Sequence, residues 1–230
     1  MTNKNIELSI KVIVTKEIQE VDGLASTREL VDAIVVNTKG IDYHNSNQYK
    51  YYSHDGLPKS ENKKYVKDEI LKFRIRTNDL EWANKILTSA KGMHTDKLMV
   101  LGIDCKVIPK RHIESIYTLT PVIVKFEEGY WRGKKSIDEV EQRIKINLIK
   151  KYNNYYNTKI DENFELFEGI EIKNKYPITI KYKGITLLGD KFLFKIASNE
   201  QAQELANFSI ACGLGELNAR GFSFVRYNWL

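Results

Sequence analysis

The sequence predicts an α+β fold of two tandem ferredoxin-like (βαββαβ) units, and three observations predict it. Runs with apolar residues at every second position recur along the chain. Between them stand stretches with helix-capping residues and apolar side chains at three- and four-residue spacing. The element order of the first half then returns in the second, without sequence identity between the halves. The chain has 230 residues, enough for two small domains of ordinary size. We place them at residues 1–116 and 117–230, with Pro121 and the stretch ESIYTLTP at the boundary.

The opening segment MTNKNIELSIKVIV alternates Ile6, Leu8, Ile10, Val12 and Val14 and reads as a strand, not as a secretion signal. STRELVDAIVVNTKG carries a capping box of Ser26 and Glu29, with Leu30 and Ile34 on one face, and reads as a helix ending near Gly40. A polar, tyrosine-rich loop is expected from Asp42 to Lys50, then a short strand near Tyr51 to Ser53 and a basic strand from Glu69 to Arg76. NDLEWANKILTSAKG is a second helix, with Asn78 as N-cap and Trp82, Ile86 and Leu87 on its face; KLMVLGIDCKVI closes the unit as a strand. In the second half TLTPVIVKF reads as a strand. SIDEVEQRIKINLIKKYNNYY reads as a long helix with Ile137, Val140, Ile144, Leu148 and Tyr152 in register. YPITIKYKGITLLGDKFLFKIAS offers two or three strands. SNEQAQELANFSIACG is the last helix, capped by Ser198 and Gln201 with Ala202, Leu205, Ala206 and Ile210 as its apolar face, and FSFVRYNWL the last strand.

Composition narrows the function classes. Apolar residues make up 42% and charged residues 29%, as in a folded soluble protein, and no apolar run approaches the roughly 20 residues of a membrane span. The two cysteines, Cys105 and Cys212, have no redox or metal-ligand spacing, and the four histidines form no ligand pattern. A cytoplasmic protein without a metal or cofactor is expected. The net charge of +6 is moderate, but it is distributed unevenly: Lys59 to Arg76 holds seven basic and three acidic residues. Within it LKFRIR points Leu71, Phe73 and Ile75 one way and Lys72, Arg74 and Arg76 the other. Such a face suits a phosphate backbone, and it equally suits an exposed, solvated edge.

Two glycine and aromatic motifs near the end invite nucleotide readings. CGLGELNARGF holds Gly213, Gly215 and Gly221, but a helix precedes it and a strand follows. A dinucleotide fingerprint needs the reverse order. RGFSFVRY, from Arg220 to Tyr227, fits the octapeptide of RNA-recognition motifs, yet that motif sits on an internal strand and only three residues follow it here. Upstream, DYHNSNQYKYYSHDG gathers His44, His54, Lys50 and several tyrosines beside the basic strand. Histidine exchanges protons near neutral pH, and lysine can stabilise developing negative charge.

Four stretches in order give this reading a family. A His-Asn segment at His44 with Lys50 six residues on, then YYSHDGLP, then ITLTPVIV-like IYTLTPVIV, then the pattern GxGxxxxxGFxF at Gly213 to Phe224 run through the chain. In this order they resemble the CRISPR-associated endoribonucleases of the RAMP superfamily that cut repeat RNA into mature guide RNAs. The resemblance implies two RRM-like, ferredoxin-like domains, with the catalytic loop in the first and the glycine-rich loop in the second.

It further implies His44 as catalytic histidine and Lys50 as catalytic lysine. Where such proteins often carry a tyrosine in the first helix this chain has Glu29, with Tyr43 or His54 as substitutes. The glycine-rich loop would contact the RNA backbone through Gly213, Gly215 and Gly221. Lys72, Arg74, Arg76, Arg220 and a mobile basic loop with Arg132, Lys134 and Lys135 are further candidate contacts. Ser223 replaces the pattern's last glycine and is expected to be tolerated in a strand. The implied reaction is metal-independent: the 2′-hydroxyl attacks the adjacent phosphate, leaving 2′,3′-cyclic phosphate and 5′-hydroxyl ends. Implied partners are CRISPR repeat RNA, its crRNA product and other CRISPR effector-complex subunits, for a monomer or homodimer. A non-catalytic RNA-binding RAMP subunit is the alternative, and a protein-binding α/β domain with an incidental basic face the third reading.

Overall fold

The computed structural model describes residues 4–182 and 184–230. Met1–Asn3, at the head of the opening strand, and Lys183, within the stretch read as two or three strands, lie outside the described residues.

The first unit runs β1 (Asn5–Val14), β2 (Ile18–Gln19), α1 (Gly23–Lys39), α2 (Ile41–Asn45), β3 (Tyr52–His54), β4 (Lys64–Tyr65), β5 (Ile70–Thr77), α3 (Leu80–Ser89) and β6 (Leu98–Ile108). Its main sheet has the order β3-β5-β1-β6, antiparallel throughout, as two interleaved βαβ halves require. The alternation of β1 sets which face is core. Ile6, Leu8, Ile10, Val12 and Val14 are fully buried, and Leu8 and Ile10 lie opposite Ile75 and Phe73 of β5. Leu30, Val31, Ile34 and Val35 of α1 and Trp82, Ala83 and Ile86 of α3 close that core.

The second unit runs β7 (Ile113–Thr118), α4 (Ile137–Tyr156), β8 (Phe167–Ile172), β9 (Ile178–Tyr182), β10 (Ile185–Gly189), β11 (Phe192–Ile196), α5 (Glu200–Cys212) and β12 (Val225–Trp229). Its sheet has the order β12-β7-β11-β8, the same arrangement as the first, while β9 and β10 pair apart from it as a two-stranded sheet. The molecule is thus two tandem ferredoxin-like units. Because β7 begins at Ile113, this strand straddles the boundary expected between residues 116 and 117.

Several sequence readings shift. The first strand of the second unit is IESIYT, not TLTPVIVKF; Pro121 has no N–H to offer a ladder, and Val122 and Ile123 make only isolated bridges. The sheet's second strand, β8, was not read at all: its sequence FEGIEI places Glu168, Gly169 and Glu171 on an exposed edge, which hides the alternation. The loop after α1 folds partly into the short helix α2. Helix starts move as well. Helix α1 begins before Ser26, whose hydroxyl donates back to the Asp22 carbonyl at 3.0 Å, so the Ser26–Glu29 box does not form. Asp79 and Asn199, rather than Asn78 and Ser198, cap α3 and α5 by accepting from Trp82 N and Ala202 N, each at 2.9 Å.

The units are joined through α5, which is buried on both sides. Asn207, Phe208, Ser209, Ala211 and Cys212 are as enclosed as its expected apolar face: the first unit's sheet packs against the helix, and Phe208 is buried among Tyr152, Tyr155 and Tyr156 of α4. Hydrogen bonds stitch this contact. Asn5 Nδ2 donates to the Asn207 carbonyl at 2.9 Å, and Ser53 Oγ to the Ala211 carbonyl at 2.8 Å. No helix among the described residues is long and apolar enough to cross a membrane. Both cysteines are free, Cys105 exposed and Cys212 buried.

Candidate active site and nucleic-acid interface

The glycine-rich loop is a wedge between the units, and each glycine is there because a side chain would not fit. All three are buried with left-handed backbone, φ +70° at Gly213, +64° at Gly215 and +86° at Gly221. A Cβ on Gly221 would lie 2.6 Å from Leu24 Cδ1 and 2.7 Å from His54 Cε1; one on Gly213 would meet the Ser223 carbonyl at 2.8 Å. Buried in this way, Gly213, Gly215 and Gly221 let the loop pack closely between the units. Ser223 also departs from expectation: it lies before β12, not in it, with φ +57° and a buried hydroxyl that has no partner. A glycine there would be free of both costs.

What the wedge delivers is Arg220. With Ala219 tucked into the first unit's core, Arg220 Nη1 donates to both oxygens of Asp32 on α1, at 2.8 and 3.0 Å. The same carboxylate lies 3.7 Å from His44 Nδ1. Asp32 therefore stands between a histidine of its own unit and an arginine of the second unit, 188 positions from Asp32 in sequence.

Lys50 completes the group. Its ammonium donates to the Tyr43 carbonyl and, at 2.8 Å, to Ser46 Oγ, and it stands 4.0 Å from the centre of the Tyr43 ring. Two of three N–H donors are thereby engaged, leaving one for a substrate oxygen. Partial burial, then the charges of Arg220 and Lys39, lower its pKa from the ordinary lysine value. Burial, followed by the nearby Asp79 carboxylate, pushes the Tyr43 phenol up to about 12, which keeps it protonated at neutral pH.

Lys50 and Arg220 open onto a cleft of about 450 Å³ between the units, whose other wall is α4 with Arg143, Asn147 and Lys150. Behind them Lys151 is buried; it donates to the Gly215 carbonyl at 2.6 Å and to Asn218 Oδ1, and burial lowers its pKa to about 8. Lys151 thus ties the wedge to α4. Among the described residues no three His, Cys, Asp or Glu side chains gather as a metal-holding group.

The other sequence candidates stand elsewhere. His54 is wholly buried, with Nδ1 2.9 Å from the Asp55 carbonyl and its ring against Gly221. Burial pushes its imidazole down to about 4, so it is neutral near pH 7, and it does not line the cleft. The basic face of β5 is largely covered by the second unit. Arg76 is buried, donates to Glu7 Oε2 at 2.7 Å and to the Val225 carbonyl at 2.6 Å, and lies over Phe224. Arg74 pairs with Asp55 at 2.6 Å, and only Lys72 stays free of the interface, 3.6 Å from Asp104. The YWRGKK loop is tied to its surroundings by several contacts. Trp131 is buried and donates to Asp190 Oδ2 at 2.7 Å, Arg132 pairs with Asp190 Oδ1 at 2.6 Å, and Lys134 and Lys135 bond to Glu128.

Asp32, Arg143, Lys150 and Lys151 escaped the sequence reading. Arg143, Asn147 and Lys150 fall four and three residues apart, a polar stripe that was legible within the long helix. Asp32 carried no such signal, since its partners come from other elements.

The comparisons with known proteins agree with this architecture. Residues 104–227 match the family described as CRISPR associated protein Cas6, C-terminal. The CRISPR-associated endoribonuclease Cas6 1 of Methanocaldococcus jannaschii is 32% identical over 124 residues, which is 51% of this chain and 46% of that protein. The chain thus spans less than half the length of that relative in the match. A solved CRISPR associated protein Cas6 superposes with a TM-score of 0.72 at 19% identity, over 97% of this chain and 99% of that one. A RAMP protein binding different RNA substrates superposes with a TM-score of 0.70 at 17% identity, over 97% and 99%. These superpositions bear on the fold, whereas the family match runs through more than half of the sequence. On that match this chain belongs to the Cas6 family of CRISPR-associated proteins.

Proposed function

We propose that this protein is an endoribonuclease that cuts CRISPR repeat RNA to produce crRNA. The observation that carries the reading is that Lys50 and Arg220 line one cleft between the units, while Arg220 shares the Asp32 carboxylate with His44. The name of the Methanocaldococcus jannaschii relative, an endoribonuclease, agrees with it.

In this reading the 2′-hydroxyl upstream of the cut attacks the adjacent phosphorus, and its proton leaves with a base. The bond to the 5′-oxygen breaks, and that oxygen takes up a proton to become a 5′-hydroxyl. A 2′,3′-cyclic phosphate remains, and no metal ion takes part. His44 is the proton-transfer residue, with its Nδ1 3.7 Å from the Asp32 carboxylate and Nε2 assigned to the substrate. Lys50 and Arg220 offer N–H donors to the phosphoryl oxygens as their charge grows, inside a partly enclosed site where such contacts are strong. Lining up the attacking oxygen with one scissile phosphate supplies much of the rate. The expected partners are repeat RNA and crRNA.

The test is cleavage of a panel of labelled CRISPR repeat RNAs in excess EDTA by wild type, His44→Ala and Lys50→Ala. Cutting at one position with a cyclic-phosphate end, reduced at least a hundredfold in His44→Ala while binding survives, supports the reading. Tight binding without cutting by the wild type would instead assign a non-catalytic RNA-binding subunit.

A further inference from the structure

A second cavity, of about 270 Å³, lies beyond the wall of the cleft, and its chemistry differs. Where the cleft presents cations, this cavity is lined by Tyr43, Tyr51, Tyr52, Trp82 and Tyr155. Tyr51 and Tyr155 meet edge-on with centroids 4.8 Å apart, and Tyr52 and Trp82 tilt against each other at the same distance. The polar atoms of three of these rings are already bonded within the protein: Trp82 Nε1 to Thr38 Oγ1 at 2.8 Å, Tyr155 hydroxyl to the Asn78 carbonyl at 3.2 Å, and Tyr51 hydroxyl to Asn154. Tyr52 and Trp82 are only 2% exposed and form the floor, so the half-buried Tyr43, Tyr51 and Tyr155 are the rings that offer surface to an occupant. At the rim Lys39 and Asp79 pair at 2.6 Å and present both a donor and an acceptor.

Tyr43 lines the cavity, and its ring lies beside a lysine of the cleft. Lys50 stands 4.0 Å from the centre of that ring and Lys39 4.7 Å, and Lys50 lines the cleft while Lys39 lines the cavity. A phosphate held at Lys50 therefore has an aromatic chamber one ring away, about where the base of the same or the next nucleotide would fall. The volume is below the range of roughly 300–1,000 Å³ usual for pockets that enclose a drug-sized molecule, and it suits one planar ring system. Stacking on aromatic side chains is how proteins take up unpaired bases.

We propose that this cavity receives the nucleobase of a nucleotide flanking the cut phosphate, turned out of the RNA stack, and so fixes the scissile phosphate at Lys50. The proposal rests on the RNA-cleaving reading and adds to it a second binding site. The probe is a repeat RNA carrying 2′-deoxyribose at the cut position, which blocks cleavage, with a single abasic nucleotide on either side of that position in turn. Wild-type protein is expected to bind one abasic RNA at least fivefold more weakly than the intact RNA, the low end of what one stacked base contributes. Tyr155→Ala removes a wall, and Leu80→Trp fills the mouth from an exposed position that folding does not depend on. Both variants are expected to bind intact and abasic RNA alike, at the wild-type abasic affinity.

Equal binding of intact and abasic RNAs by the wild type would overturn the pocket and leave the cleavage reading standing. So would a Leu80→Trp variant that keeps the full intact-to-abasic difference. A wild type that binds none of the repeat RNAs overturns both readings together.

Discussion

His54 shows how one buried residue can carry a measurable signature. In the unfolded chain a histidine titrates near 6.5, whereas in the folded protein burial, then the charges of Arg28 and Arg220, push it down to about 4 against the opposing contact with the Asp55 carbonyl. Between those values the unfolded chain binds a proton that the folded one does not. This share of stability is present in full above about pH 6.5 and is lost as the pH falls through 4. Two and a half pH units correspond to roughly 3 kcal/mol. We expect the urea midpoint of the wild type to fall between pH 6.5 and 4, and to fall clearly less in His54→Leu, which keeps the packing against Gly221 and Leu24 without a titrating ring. Parallel curves for the two proteins would show that His54 protonates without opening the interface. The sequence made His54 and His44 look alike, two histidines ten residues apart in one polar stretch. What separates them is long-range: one is covered by Gly221, and the other lies beside Asp32.

Among the elements, β5 shows where reading by periodicity succeeds and where it stops. The alternation of Leu71, Phe73 and Ile75 with Lys72, Arg74 and Arg76 was legible, and Phe73 and Ile75 are indeed buried. The opposite face was legible as basic but not as covered, because what covers it is Phe224 and Val225, about 150 residues away. The same limit explains α5, part of which is covered by the sheet of the other unit. It also explains β8, whose charges belong to an exposed edge. The covered face makes unequal partners of three similar side chains. Arg76→Ala leaves Glu7 buried with Lys106 alone, at 2.9 Å, and leaves the Val225 carbonyl without its donor. We expect a loss of about 3 kcal/mol in urea unfolding, the lower end of the range for breaking a buried ion pair, because Lys106 remains. Lys72→Ala, exposed and loosely paired, should change stability by less than about 0.5 kcal/mol. A small effect at Arg76 would mean that the Glu7 carboxylate finds water once its partner is gone.

For the whole molecule, the repeated element order made both units legible, while the cleft between them was not, since it exists only where the glycine wedge meets α4 and the stretch from Ser46 to Lys50. His44 and Lys50 were found in the sequence through a resemblance, and Arg220 through its motif. Arg143 and Lys150 needed the fold to bring α4 beside them. The placement of charge now separates two paths for RNA: along β5, as its basic face suggested, or through the cleft. On the proposed reading Lys50, Arg143, Lys150 and Arg220 face the RNA backbone. Four phosphates neutralised on a single strand give a slope of about −3 when the logarithm of the affinity is plotted against that of the salt concentration. Lys150→Ala should bring that slope to about −2 and weaken binding of every RNA sequence by a similar factor, since a phosphate contact carries no base information. Lys72→Ala should leave the slope where it was, because Lys72 lies outside the cleft. Fluorescence anisotropy of labelled repeat RNA over a range of potassium chloride measures all three. The reverse result, a slope that drops with Lys72 and holds with Lys150, would move the RNA out of the cleft and onto the edge of the first sheet, and His44 and Lys50 would then stand too far from the backbone path to cut it.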